Sequence, residues 1–137
     1  SRKTIERCLD APNSEAYCIM QNRQMVGGLV LKINAETHRN ELELLFVTPS
    51  EHSRGVGVAA WKLVEKLHPE TEMWETCSPY FETRNIHFYI NKCGFHAVEF
   101  FNPKHPEPVN PELEDEDPAP DDGGFDGMFR FEKVMKH

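Results

Sequence analysis

The apolar positions of this chain are most regular between residues 41 and 67. Residues 41–47, Glu-Leu-Glu-Leu-Leu-Phe-Val, form an extended apolar run that Pro49 and Ser50 bring to an end. A turn carrying Gly55 and Gly57 follows, and from Val56 to Leu67 the side chains Ala60, Leu63, Val64 and Leu67 recur at three- and four-residue steps. That spacing predicts a helix with one apolar face. Residues 2–10 place Ile5, Cys8 and Leu9 on one helical face and stop before Pro12 and Asn13, which predicts a short packing helix. Residues 16–21 and 25–33 are two extended runs joined at Asn22, Arg23 and Gln24, the pattern of an antiparallel hairpin. Gly27 and Gly28 inside the second run mark a bulge or a close backbone approach.

After the central helix, His68 and Pro69 are a stop, and residues 72–77 alternate as a further strand. Residues 82–92 are helical in pattern, with Ile86, Tyr89, Ile90 and Cys93 on one face and Gly94 as a left-handed cap. Strands are predicted over 95–101 and 128–134. Helix, three strands, helix, strand, helix and two strands, with no internal repeat, is a mixed α/β order. At 137 residues the chain reads as a single domain with a core large enough to need no staples.

Charge changes this picture at one place. Residues 103–127 hold nine acids and one base, and so account for the whole formal charge of −8. The remainder is neutral, which excludes the basic surface that nucleic acids require. The proline-rich acidic segment reads as a solvated loop, or as a lure for a cationic ligand. No apolar run is long enough to span a membrane. Cys8, Cys18, Cys77 and Cys93 form no CxxC pair, which argues against a metal site or a disulfide framework and favours reduced thiols in the cytoplasm.

The strand, glycine turn and helix at the centre imply specific chemistry. The first N–H groups of a helix lack partners and the peptide dipoles add partial positive charge, so such an end accepts phosphate. Glycines at 55 and 57 let backbone approach a diphosphate closely. A plain tight turn accounts for them equally well. No Lys followed by Ser or Thr comes after Gly57, so this is not a P-loop, and the third glycine of a dinucleotide fingerprint is absent.

Val47, Pro49 and His52-Ser53-Arg54-Gly55-Val56-Gly57 resemble motif A of the GCN5-related N-acetyltransferases, the GNAT superfamily, which reads Val-x-Pro-x-x-Gln/Arg-x-x-Gly-x-Gly/Ala. His52 stands where the family has Gln or Arg. A second register, through Arg54, Gly57 and Ala59, restores the Arg but lengthens the loop by two residues. A second segment, from Asn85 to Phe95, resembles the family's stretch in which a Tyr stands shortly before Gly-Phe, here Tyr89, Gly94 and Phe95. The resemblance runs from the first predicted helix to the last strand. It implies a mostly antiparallel mixed sheet flanked by helices, with the family's first strand and first helix falling before Ser1. It also makes residues 102–127 an insertion in a 1–137 acetyltransferase domain.

The resemblance further implies acetyl-CoA as co-substrate, its diphosphate held at His52, Ser53, Arg54, Gly55, Val56, Gly57 and Val58. Its pantetheine arm would lie along Leu45, Phe46 and Val47, with Asn85 contributing from the later helix. Tyr89 takes the place of the general acid beside the departing thiol, a role suited to a phenol that stays protonated at neutral pH. On its own pattern Tyr89 would be a core aromatic. An amine must lose its proton to attack, and Glu41, six residues before Val47, lies where some members carry their base; Glu43 is a weaker candidate and a solvated strand acid the plain alternative. Where many members have a cofactor-contacting Asn, seven residues before the Tyr, this chain has Glu82. His52, His87 and His96 show no pairing, and Cys77 and Cys93 have no His partner that would make either an acyl carrier. The function implied is direct acetyl transfer to a primary amine of a small molecule or peptide, cationic if the acidic segment attracts it. A non-catalytic acyl-CoA sensor of the same fold is the alternative. Exposed strand edges leave room for a homodimer.

Overall fold

The computed structural model describes residues 3–51, 55–102, 104–105 and 127–136. Among the described residues there are seven strands: β1 (Lys3–Ala11), β2 (Ser14–Gln21), β3 (Gln24–Lys32), β4 (Arg39–Val47), β5 (Met73–Pro79), β6 (His96–Phe101) and β7 (Met128–Val134). The helices are α1 (Val56–Leu67) and α2 (Thr83–His87), the second continuing as a π-helical segment, Phe88–Cys93. All strands join one sheet in the order β1-β2-β3-β4-β5-β7-β6. Only β4 and β5 run parallel; every other neighbouring pair is antiparallel.

Residues 3–11 correct the prediction of an opening helix. They form a strand paired with β2 from Lys3↔Gln21 to Ala11↔Ser14, through a turn in which Asn13 has φ 61°. The register shifts between Arg7 and Leu9, so Cys8 is an extra residue in a bulge. The partners of Ile5 and Leu9, Ile19 and Ala16, lie on opposite faces of β2, so the helical spacing of Ile5, Cys8 and Leu9 marks no shared face. The same hairpin corrects the reading of the thiols. Cys8 and Cys18 are joined by a disulfide across β1 and β2, with Cα atoms 6.2 Å apart, while Cys77 and Cys93 are not disulfide-bonded. The turn brings together two cysteines whose separation in sequence matches no motif.

The core lies on one face of the sheet. Val56, Ala60, Trp61 and Val64 of α1 and Tyr89 and Cys93 of the π segment pack in one cluster with Leu29, Leu42, Trp74 and Phe131. The buried stripe of α1 is turned from the predicted one: Trp61 enters the core and Leu67 is 45% exposed. Trp61 stands edge-on to Trp74, with centroids 5.1 Å apart, and against Phe95 at 5.3 Å. Contacts of this kind contribute about 1 kcal/mol each beyond area burial. Lys133 Nζ donates to Glu65 and to the Cys93 carbonyl, which ties β7 to α1 and to the π segment. Gly94, at φ 88°, ends that segment as the sequence predicts.

A second bulge decides which side chains of β4 face the core. The β3 register pairs Val30 with Leu44 and Leu31 with Leu42, leaving Glu43 as the extra residue. Leu42 is buried, and past the bulge Leu45 and Val47 pack on the cluster while Leu44 and Phe46 are half exposed. Simple alternation would have put Leu44 beside Leu42.

Candidate active site

The parallel ladder between β4 and β5 has three rungs, Arg39↔Met73, Asn40↔Trp74 and Glu41↔Glu75, and ends there. β5 continues to Pro79 paired with β7 on its other side, and β4 continues to Val47 paired with β3. The two central strands therefore diverge after Glu41 and Glu75. Where the ladder stops, the Thr76 hydroxyl donates to the Leu42 carbonyl at 2.8 Å. The backbone of Leu45, Phe46 and Val47 borders the opening, held from behind by β3. That contact is close: a Cβ on Gly27 would lie 2.2 Å from the Phe46 carbonyl oxygen, and one on Gly28 would lie 2.7 Å from the Phe46 ring.

Following β4, a 3₁₀ turn (Pro49–Glu51) leads toward the start of α1. Gly55 caps the helix at φ 71°, a left-handed conformation that favours glycine, and a Cβ there would meet nothing within 4 Å. Among the described residues no side chain caps the helix end, and no acid lies in its first turn. The first turn of α1 thus holds no acid that would compete with an anion for its amides. Val56 is buried and fixes the helix start, Gly57 lies against the Phe88 ring, and Val58 is half-buried. These features fit a diphosphate group. His52, Ser53 and Arg54, predicted for the same role, lie outside the described residues.

Tyr89 is buried on the π segment between the rings of Phe95 and Phe131, at 5.8 and 5.7 Å between centroids. Burial raises its pKa above 10, a hydrogen bond with the Thr76 side chain opposes the rise, and the nearby Cys93 and Cys77 add to it. The phenol is therefore protonated at neutral pH. Asn85 is half-buried on α2, one helical turn before Tyr89. Glu41 is half-buried on the last rung. Burial raises its pKa, Lys32 opposes this, and Glu75 and Glu43 reinforce it.

The structure places Leu42, Thr76 and Tyr89 on the core side of the sheet near the point where β4 and β5 part, and Glu41 and Glu75 on its other face at the last rung. It also adds two residues that the sequence reading passed over. Thr76 is an inward position of β5 between buried Trp74 and Ser78, and Phe88 wedges against Gly57. His87 and His96 are exposed, and His87 Nδ1 lies 2.9 Å from Asn91 Nδ2. Among the described residues no group of three or more His, Cys, Asp and Glu could hold a metal, and no helix is long and apolar enough to cross a membrane.

Comparison with known proteins agrees with this geometry. A Bacillus subtilis (strain 168) protein, the uncharacterized YrkN, is 45% identical over 141 residues, covering 99% of this chain and 73% of its own length. Nourseothricin acetyltransferase superposes with a TM-score of 0.68 at 18% identity, over 90% of this chain and 66% of that one. A Bacillus subtilis acetyltransferase solved in complex with CoA superposes with a TM-score of 0.70 at 15% identity, over 98% of this chain and 100% of that one. These two structures share the fold. A profile described as the Acetyltransferase (GNAT) family matches residues 2–95, a span that includes the diverging strands, the glycine turn and Tyr89, and the chain belongs to that family.

Proposed function

We propose that the chain is an acetyl-CoA-dependent N-acetyltransferase that passes the acetyl group directly to a primary amine. The observation that carries the reading is the divergence of β4 and β5 after Glu41 and Glu75, with a buried, protonated Tyr89 on the core side of the sheet. The first amides of α1, with Gly55 and Gly57, receive the diphosphate, and His52, Ser53 and Arg54 complete that loop. Leu45, Phe46 and Val47 offer backbone groups to the pantetheine arm, and Asn85 approaches it from α2. In the reaction the amine nitrogen bonds to the thioester carbonyl carbon and the C–S bond breaks. Glu41 takes the proton lost by the amine, directly or through water, and Tyr89 gives a proton to the departing sulfur. Glu41, Glu43 and Glu75 lie near one another on adjoining strands, which supports a cationic acceptor such as a polyamine, an aminoglycoside or a basic peptide end. The reading takes residues 1–137 as one domain, with the acidic segment an insertion, at work in the cytoplasm.

The test is thiol release from acetyl-CoA over a panel of spermidine, kanamycin and a peptide with a free amino terminus. Tyr89→Phe should lower kcat by about 10²-fold or more, as loss of a general acid does, with CoA affinity nearly unchanged. Binding of CoA with no thiol release from any amine would instead favour an acyl-CoA sensor. Absence of CoA binding would remove both readings.

A further inference from the structure

Past the last rung of the β4–β5 ladder, β4 stays paired with β3 alone. The bulge at Glu43 shifts the alternation there by one residue, so Leu44 and Phe46 stand on the same face as Glu41, opposite the core, and are 50% and 46% exposed. Val30 lies opposite Leu44, and Gly28 opposite Phe46. The Phe46 ring lies over Gly28, where a Cβ would come within 2.7 Å of it. Val30, Leu44 and Phe46 thus form an apolar floor that begins two strand residues, about 7 Å, from the Glu41 row. The acids around that row are matched unequally. Lys32 lies 3.6 Å from Glu43, and Arg130 donates to Glu99 and Glu132 and lies 3.8 Å from Glu75. Glu41 feels the charge of Lys32, but it has no hydrogen-bonded or ion-paired partner among the described residues. One uncommitted carboxylate beside an apolar floor is complementary to an ammonium group on an apolar body. The further charges of a polyamine or an aminoglycoside find no second uncommitted acid at that rung, and the carboxylate of an amino acid is repelled. β3 and β4 spend their backbone groups on each other beneath the floor, so a peptide laid across it meets side chains only.

We propose that the acceptor is a singly charged arylalkyl primary amine, its nitrogen at Glu41 and its ring on the floor of Val30, Leu44 and Phe46. The inference rests on the proposed N-acetyltransferase and narrows its acceptor. The amine nitrogen bonds to the thioester carbonyl carbon, its proton passes to Glu41, and the C–S bond breaks as the sulfur takes the Tyr89 proton. The products are an N-acetyl arylalkylamine and the CoA thiol, after which Glu41 and Tyr89 exchange protons with water. The carboxylate selects for a cation, and the floor selects among cations.

The test is thiol release from acetyl-CoA with phenethylamine, spermidine, kanamycin, phenylalanine and a peptide that begins with Phe. kcat/KM for phenethylamine should exceed each of the others by about tenfold or more, the discrimination that an apolar surface supplies. Leu44→Asn should raise KM for phenethylamine about tenfold, while kcat/KM for spermidine and CoA affinity by calorimetry stay within about twofold of wild type. Val30→Thr keeps the side-chain shape, should act in the same direction, and stands in if Leu44→Asn does not fold. Equal or better kcat/KM with any other acceptor of the panel overturns the inference and leaves the acetyl transfer standing. Wild-type KM for phenethylamine in a folded variant does the same. A wild-type dimer that Leu44→Asn turns into a monomer in sedimentation gives the floor to a second copy, and overturns it equally. No thiol release with any amine strikes the proposed reaction itself, and this inference with it.

Discussion

Glu41 and Glu75 stand opposite one another on the last rung that joins β4 to β5. Their proximity, added to burial, raises the Glu41 pKa, while Lys32, its register partner on β3, opposes the rise. A base acts in its deprotonated form, so activity climbs with pH through its pKa. Removing Lys32 raises that pKa further, and neutralising Glu75 lowers it. Lys32→Ala should therefore move the acid limb of kcat/KM to higher pH, and Glu75→Gln should move it to lower pH. Opposite displacements in two pH–rate profiles would identify Glu41 as the titrating group. An unmoved limb in both variants would give the proton to another acceptor.

Phe88 and Gly57 are the tightest contact at the start of α1, since a Cβ on Gly57 would lie 3.0 Å from two ring carbons. Gly57→Ala should gain up to about 1 kcal/mol of helix propensity and lose a similar amount to crowding, leaving thermal stability nearly unchanged. The displaced ring and the added methyl should nonetheless weaken CoA binding about tenfold. Gly55→Ala behaves differently. There is open space at that position, but φ is 71°, and a side chain held there costs about 1–2 kcal/mol. Calorimetric titration with CoA beside thermal melts of the two variants separates the effects.

The central unit was legible because its signals are local. An apolar run ending at Pro49, a glycine pair, and helical spacing after Val56 need no knowledge of distant residues, and β4 and α1 begin and end within two residues of the prediction. The β2–β3 hairpin and the Gly94 cap were readable for the same reason. What failed depended on register. The spacing of Ile5, Cys8 and Leu9 read as helical although the bulge at Cys8 sets Ile5 and Leu9 on opposite faces, and the bulge at Glu43 puts Leu44 on the exposed side. A bulge is fixed by the partner strand, which periodicity in one segment does not report. The Cys8–Cys18 disulfide was hidden in the same way. Tyr89 and Glu41 were found through the family motifs, whereas Thr76 belongs to no motif and becomes visible only when β5 lies beside Leu42. The turn at His52, Ser53 and Arg54, and the acidic stretch over 106–126, lie outside the described residues.

Gly27 faces backbone rather than a side chain. Its absent Cβ would come within 2.2 Å of the Phe46 carbonyl oxygen and 3.2 Å of Ile19 Cδ1. Neither neighbour can yield cheaply, because the first is a strand backbone and the second is in the core. Gly27→Ala should cost more than about 3 kcal/mol, the range of changes that break a packed interior. Urea unfolding should show it as the most damaging of the substitutions at Gly27, Gly55 and Gly57. A midpoint equal to wild type would mean that β3 and β4 can separate without loss.

Glu15 ties the outer strands to the far end of α1. Its Oε1 accepts from the Tyr17 hydroxyl at 2.8 Å and from His68 Nε2 at 2.7 Å, and Arg7 lies 3.7 Å from its other oxygen. Burial alone would raise its pKa, but the hydrogen bonds from His68 and Tyr17, with the charges of His68 and Arg7, outweigh that and hold it below the ordinary 4.5. A carboxylate with a depressed folded-state pKa contributes stability that is complete above the unfolded value and is lost as pH falls through the folded one. The group is partly solvated, so the contribution is about 1 kcal/mol rather than a buried-pair value. Glu15→Gln should therefore lower the melting temperature at pH 7 by a few degrees, and the gap to wild type should close as pH drops below 4.5. Melts at pH 7 and pH 3.5 decide the matter: an equal gap at both would assign the loss to packing around Tyr17, not to the ionised carboxylate.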